Sequence, residues 1–161
     1  MTRMYTLNQL VAAQTGDLAK IASAHQQINS YGQGDVWEWA TSGTTHYPAM
    51  FVVVQPASFT QKAVDYNMGI LFMDIPHRDE SDETEVLSDM LLIAGDVYAQ
   101  LQHPDYSFIV PDPPTYEFFT ENLGDLVSGV NMNITVRVPL ENDRCAIPAD
   151  TITITTNTDR V

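Results

Sequence analysis

The chain is predicted to fold as an α+β protein, with a mostly antiparallel sheet packed with two main helices and an extended C-terminal tail. Three observations predict this. Two stretches carry apolar residues at helical spacing. Several others alternate with period two or run as short β-branched blocks. The elements come as helix, three strands, helix, two strands, without regular strand–helix alternation.

Thr6-Leu7-Asn8-Gln9 reads as a capping box, Thr6 accepting from the third helical amide and Gln9 reaching back. Leu7, Leu10, Val11, Leu18, Ile21 and Ile28 then recur at helical spacing, which predicts a helix from about Leu7 to Asn29, with Gly16 as its weak point and Ser30 to Gly34 as its end. Asp35 to Trp39 is expected to begin a short strand, and Thr41 to Pro48 to be a polar loop. Ala49 to Gln55 is apolar without alternation, as in a strand covered on both faces. From Ala63 to Asp74, Val64, Tyr66, Met68, Ile70 and Phe72 fall on one face of a long strand. Val86, Leu87, Met90, Leu91, Ile93, Ala94, Val97, Tyr98 and Leu101 form the broadest amphipathic stripe, a helix with Asp82 and Glu85 at its start and Pro104 beyond its end. Thr115 to Glu121 and Leu126 to Val138 are two further strands, and Tyr116, Phe118 and Phe119 in the first of them are read as core. After Pro148 the tail Thr151 to Thr156 alternates Thr with Ile, so Ile152 and Ile154 are candidates for an edge that pairs with another chain.

The 161 residues suit one domain, with 44% hydrophobic and only 17% charged residues. Base is what is missing: 7 Lys and Arg face 21 Asp and Glu, a net charge of -14. No basic cluster exists to release counterions, which disfavours direct nucleic-acid binding, while the neutral polar remainder suits packing against other subunits. Cys145 is alone, so no internal disulfide or cysteine metal site can form, and a buried small side chain is the expected role. The first residues lack the apolar run of a signal peptide, and the apolar stretches 49–54 and 69–73 are too short to span a bilayer, which gives a cytoplasmic site of synthesis.

Eight carboxylates between Asp74 and Asp96 stand against one Arg78, which places half of the net charge in this stretch. Asp79, Glu80, Asp82, Glu83 and Glu85 are its densest part. Crowded, solvated acids of this kind suit a repelling or partner-binding surface, where catalysis needs a desolvated pair with divergent pKa values. Phosphate-binding glycine motifs, a nucleophile elbow and a His-Glu-x-x-His zinc pattern are absent, so no catalytic residue and no cofactor is assigned. Asp74, His77, Asp79, Glu80 and Asp82 form a metal-like group whose carboxylate oxygens could hold Ca²⁺ or Mg²⁺, without the turn glycine of an EF-hand. His25, His46, His77 and His103 are spread over separate elements and read as ordinary surface or half-buried residues. Trp37 and Trp39 flank Glu38 and are expected on one sheet face, packing in the core or at a subunit contact more readily than stacking on a sugar or base. Arg137 and Arg144 are cations placed to pair with carboxylates of this chain or a neighbour.

Three stretches together resemble small virion proteins of tailed bacteriophages, especially those infecting Bacteroidota, including the crAss-like phages: Gly34 to Trp39; Phe72-Met73-Asp74 through His77 to Asp89; and Arg137-Val138-Pro139 leading to Asp143 through Pro148. The resemblance covers roughly residues 5–148, and the order of elements is similar to tail-terminator and head–tail connector proteins. It implies a non-enzymatic ring subunit, with residues 1–148 as the ring-forming domain and 149–161 as a tail or edge strand. By analogy the ring has about six or twelve copies, joined by heterologous contacts. Its neighbours would be portal, connector or tail-tube proteins, with DNA passing through the lumen without specific binding and no membrane contact. The location implied is the virion's head–tail junction or tail. Trp37, Trp39, Arg137, Arg144, Ile152 and Ile154 become the candidate subunit interface, and the acids from Asp79 to Glu85 a candidate channel lining or partner surface. Two rival functions follow from the acids alone: a hydrolase or lyase holding a divalent metal at Asp74, His77 and Asp79, and an acidic nucleic-acid mimic that blocks a host DNA-binding protein.

Overall fold

The computed structural model describes residues 4–41, 45–76, 82–123, 125–140 and 150. The capping box forms as the sequence predicts: Gln9 N–H donates to Thr6 Oγ1 at 3.2 Å, and Thr6 N–H donates to Gln9 Oε1 at 2.7 Å. It opens α1 (Leu7–Val11), which is separate from α2 (Asp17–Ala24). The helix expected to run to Asn29 is therefore two short ones. The break falls before Gly16, where the chain folds back so tightly that a Cβ would lie 2.5 Å from Ala12 N.

The next two elements invert the expectation. Ser30 to Gln33 does not end a helix but forms β1 (Ser30–Gln33), and the expected strand around the tryptophans is α3 (Val36–Thr41). Gly34 turns the chain at a φ of 107°, in the region that favours glycine. The Asp35 carboxylate then accepts from Trp37 N–H at 2.9 Å and from Glu38 N–H at 3.3 Å, capping the helix start. β2 (Ala49–Val54), β3 (Ser58–Phe59) and β4 (Ala63–Asp74) follow, then α4 (Glu83–Leu101), β5 (Thr115–Leu123) and β6 (Asp125–Pro139). β4, α4, β5 and β6 match the predicted elements to within a few residues, and the short β3 adds one that was not expected.

The fold is α+β with a mixed six-stranded sheet of order β1-β2-β4-β6-β5, and β3 paired to β4. β1 runs parallel to β2 and every other pairing is antiparallel, so the sheet is mostly antiparallel, as expected. The parallel pair exists because α3 provides the crossover between β1 and β2.

One sheet face carries the main core. Val64, Tyr66, Met68, Ile70 and Phe72 of β4 lie beside Val130, Met132, Ile134, Val136 and Val138 of β6, as their alternation predicts. α4 closes over them with Val86, Met90, Ile93, Ala94, Val97 and Leu101, and α1 and α2 add Leu10, Leu18 and Ile21. Each fully buried Val, Leu, Ile, Phe or Met among them contributes about 1.5–3 kcal/mol. The opposite face holds a smaller cluster of Ala49, Phe51, Met73 and Val127, covered by Trp39 and flanked by Leu71 and Phe119. Among the described residues no helix is long and apolar enough to cross a membrane.

Candidate functional site

The acid-rich segment meets the sheet at one end. β4 finishes at Asp74, opposite Ser128 of β6, and Ser128 is opposite Thr120 of β5. α4 begins above this row. Glu83 Oε1 accepts from Thr120 Oγ1 at 2.6 Å, and Thr120 Oγ1 lies 3.1 Å from the buried Ser128 hydroxyl. These hydroxyls pin the first turn of α4 to the strand ends. Glu83 and Glu85 sit in that turn, where the helix dipole favours negative charge. Asp82 is the N-cap residue, but its side chain does not cap the helix amides as expected. Asp74 is half-buried and its carboxyl is pushed above the usual carboxylate range, first by burial and then by the charges of Asp82 and Asp89, with the Ile75 amide opposing. Asp82, Glu83 and Glu85 are thus brought together with Asp74 and Asp89. Asp79 and Glu80 lie outside the described residues, as does His77 of the candidate metal group. Among the described residues no three His, Cys, Asp or Glu side chains converge as metal ligands would.

The opposite face of the sheet divides into two. Its apolar end is covered by α3, where Trp39 packs on Phe51 with ring centroids 4.9 Å apart. Trp37 points elsewhere and is 54% exposed, so the two tryptophans do not share a sheet face. The reason is the element: residues two apart on a helix are turned well away from each other, whereas on a strand they align. The remaining part is a polar ladder that no helix covers among the described residues. Thr135 donates to Asn67 Oδ1 at 2.7 Å, Gln55 donates to Asn133 Oδ1 at 3.4 Å, and Asn67 donates to the Pro56 carbonyl at 2.8 Å. Arg137 faces Asp65 across the strand pair and donates from Nε at 2.8 Å and from Nη2 at 3.1 Å. Those hydrogen bonds hold the Asp65 carboxyl below the usual range. Arg137 therefore pairs within its own chain, and its side chain remains 39% exposed. Arg144, Ile152 and Ile154, the other interface candidates, and Cys145 lie outside the described residues.

Between the ladder and α3 is a hollow of about 290 Å³ lined by Val36, Trp37, Leu71, Glu117, Phe119 and Asn131, with Phe118 at its rim. Phe118 is 57% exposed, which corrects its reading as core, while Tyr116 and Phe119 are half-buried and pack against the main and the smaller core cluster respectively. α4 rests mainly on β4 and β6, touches β5 through the Glu83–Thr120 hydrogen bond, and leaves Phe118 exposed. Hydrophobicity alone marks Phe118 as interior; its place on an edge strand is set by the pairing order.

A second hollow of about 540 Å³ lies between α2 and α4, lined by Asp17, Lys20, His25, Asp96, Gln100 and Tyr106. His25 Nδ1 accepts from Gln27 N–H at 3.1 Å, so Nε2 carries the proton and donates to Asp96 at 3.0 Å. Both ring nitrogens are engaged, an arrangement that positions the ring and does not leave it open for proton transfer. The chain matches no family model and no curated protein sequence.

Proposed function

We propose that this chain is a structural virion protein that forms a ring in the head–tail connector or tail of a tailed bacteriophage. The observation that carries the reading is the partition of its surface. Carboxylates gather at one end of the sheet, at Asp74, Asp82, Glu83, Glu85 and Asp89, while a face of Asn67, Asn133 and Thr135 is neutral and covered by no helix among the described residues. A subunit of a closed ring needs both. Neutral polar faces can meet neighbours without stripping water from many ions, and an acidic rim summed over many copies repels the DNA backbone or attracts a basic ring. The resemblance of residues 5–148 to phage virion proteins, and an α+β fold with part of one sheet face uncovered by helices, support the same reading. Exposed Trp37 fits it as a contact residue.

The test is assembly. Electron microscopy and light scattering of the purified chain with its virion neighbours are expected to give a cyclic oligomer or incorporation into particles; a chain that stays monomeric and never enters virions overturns the proposal. The acidic end is tested separately by the triple change Asp82→Asn, Glu83→Gln, Glu85→Gln, which is expected to slow DNA release from intact particles. Unchanged release removes the lining role.

A further inference from the structure

β5 is the last strand in the sheet order, and its outer edge has no partner among the described residues. It is nine residues long and carries the exposed Phe118 at its centre. Long edges with apolar residues are templates for another strand, and soluble proteins cover or blunt them. Two segments of this chain could do so: β5 of a second copy, or the alternating segment 151–156.

Charge decides between them. A two-fold β5–β5 pair would gather two Glu117 carboxylates, with two Glu121 positions beside them, into one strand pair between copies that each carry -14. The segment Thr-Ile-Thr-Ile-Thr-Thr at 151–156 has no charge and strong β propensity. Set along β5, one row of its side chains is Ile152 and Ile154, suited to cover Phe118. The other row is threonine, whose hydroxyls can donate to Glu117.

Reach and obstruction decide which copy receives it. Leu140, bonded to the Lys62 carbonyl, lies eleven residues before Thr151, a span of at most about 36–40 Å. That span is long enough to carry the segment off its own sheet. On the β5 side of its own sheet the way back is obstructed, because Ile109 is bridged to Arg137 next to β6 and the proline-bearing connection 110–114 follows. We infer that residues 151–156 of one copy add as a strand to the outer edge of β5 in the next. Such a contact is heterologous and propagates head to tail, which a closed ring requires. This deepens the ring reading and rests on it.

Two full-length variants test the contact. Phe118→Asp spoils the accepting edge at an exposed position, and the double change Ile152→Asp, Ile154→Asp spoils the donated strand. Circular dichroism checks that each remains folded, and native mass spectrometry reads the copy number. Each variant alone is expected to be monomeric. Mixed in equal amounts they are expected to form a one-to-one heterodimer, because each retains the half that the other lacks. Variants that assemble like the unaltered chain, or a mixture that stays monomeric, overturn the inference while a ring formed by the unaltered chain leaves the ring reading standing. An unaltered chain that neither assembles nor enters particles removes both.

Discussion

Gly129 lies where β6 is squeezed between β4 and β5, opposite Met73 on one side and Phe119 on the other. A Cβ built there would be 1.9 Å from the Phe72 carbonyl oxygen and 2.9 Å from the Met73 Cα. A comfortable C···O approach is about 3.3 Å, so a methyl group intrudes by roughly 1.4 Å. The atoms in its path are backbone, which cannot rotate away as a side chain would. The β4–β6 ladder must open locally, in the part of the sheet that joins the main core to Phe51 and Met73. Gly129→Ala is therefore expected to cost about 3 kcal/mol, the upper end of ordinary overpacking, and to lower the melting temperature by about 6–12 °C for a chain of this size. The control is Gly95→Ala in α4, where a Cβ meets nothing within 4 Å; replacing an interior helical glycine there is expected to stabilise by about 0.5–1 kcal/mol. Urea unfolding followed by tryptophan fluorescence measures both, with an unchanged slope showing that the unfolding reaction is the same. A Gly129→Ala chain within about 0.5 kcal/mol of the parent would show that β4 does not pack so closely on β6.

The tryptophans give the next contrast: Trp39→Ala, which uncovers Phe51, is expected to cost about 2–3 kcal/mol, and Trp37→Ala less than about 1 kcal/mol; equal losses in urea unfolding would return both rings to one sheet face. The Asp65 carboxyl is held below its unfolded value of about 3.9 by Arg137, so its contribution is present above about pH 4 and lost as pH falls through the lower folded value. Asp65→Asn should therefore lower the urea midpoint at pH 7 and leave a shallower acid-induced loss. Asp74 has the opposite sign, its folded carboxyl being raised by burial and by Asp82 and Asp89: the proton it holds favours the fold below about pH 4, and that advantage is lost as pH rises through the folded value. Asp74→Asn should raise the urea midpoint at pH 7, and a lowered midpoint would refute the assigned electrostatics.

Where a periodic pattern extended over many residues, the sequence was easy to read. β4 and β6 display alternating apolar rows because one face of each is fully buried under helices, and α4 shows its stripe over five turns for the same reason. The region 12–41 was harder because its elements are short. Four residues of β1 cannot establish an alternation, and α3 presents Val36, Trp37 and Trp39 in a spacing that a strand would also give. The decisive signal there was chemical. Gly34 followed by Asp35, with Glu38 three residues after the aspartate, has the form of a helix start, and the Asp35 carboxylate in fact receives the Trp37 and Glu38 amides.

The candidate surfaces were legible in proportion to how local they are. Carboxylates adjacent in the chain stay adjacent in space, so Asp82, Glu83 and Glu85 could be grouped on sight, while Asp74 and Asp89 join them only because β4 ends beneath α4. The neutral face could not be found this way. Asn67 and Thr135, or Asp65 and Arg137, are brought opposite each other by a register between strands some seventy residues apart, and the alternation of β6 says only that one row is polar. What the register adds is that these groups satisfy one another, hydroxyl to amide, amide to amide, guanidinium to carboxylate, although the neighbouring Asn131 Oδ1 is buried without a hydrogen-bond partner among the described residues. A polar face whose groups are already paired costs less to remove from water than one whose donors and acceptors depend on solvent. That property suits a surface to pack against another subunit while the charge stays at the sheet's end, and it makes the division between face and rim, more than any single residue, the feature on which an assembly function depends.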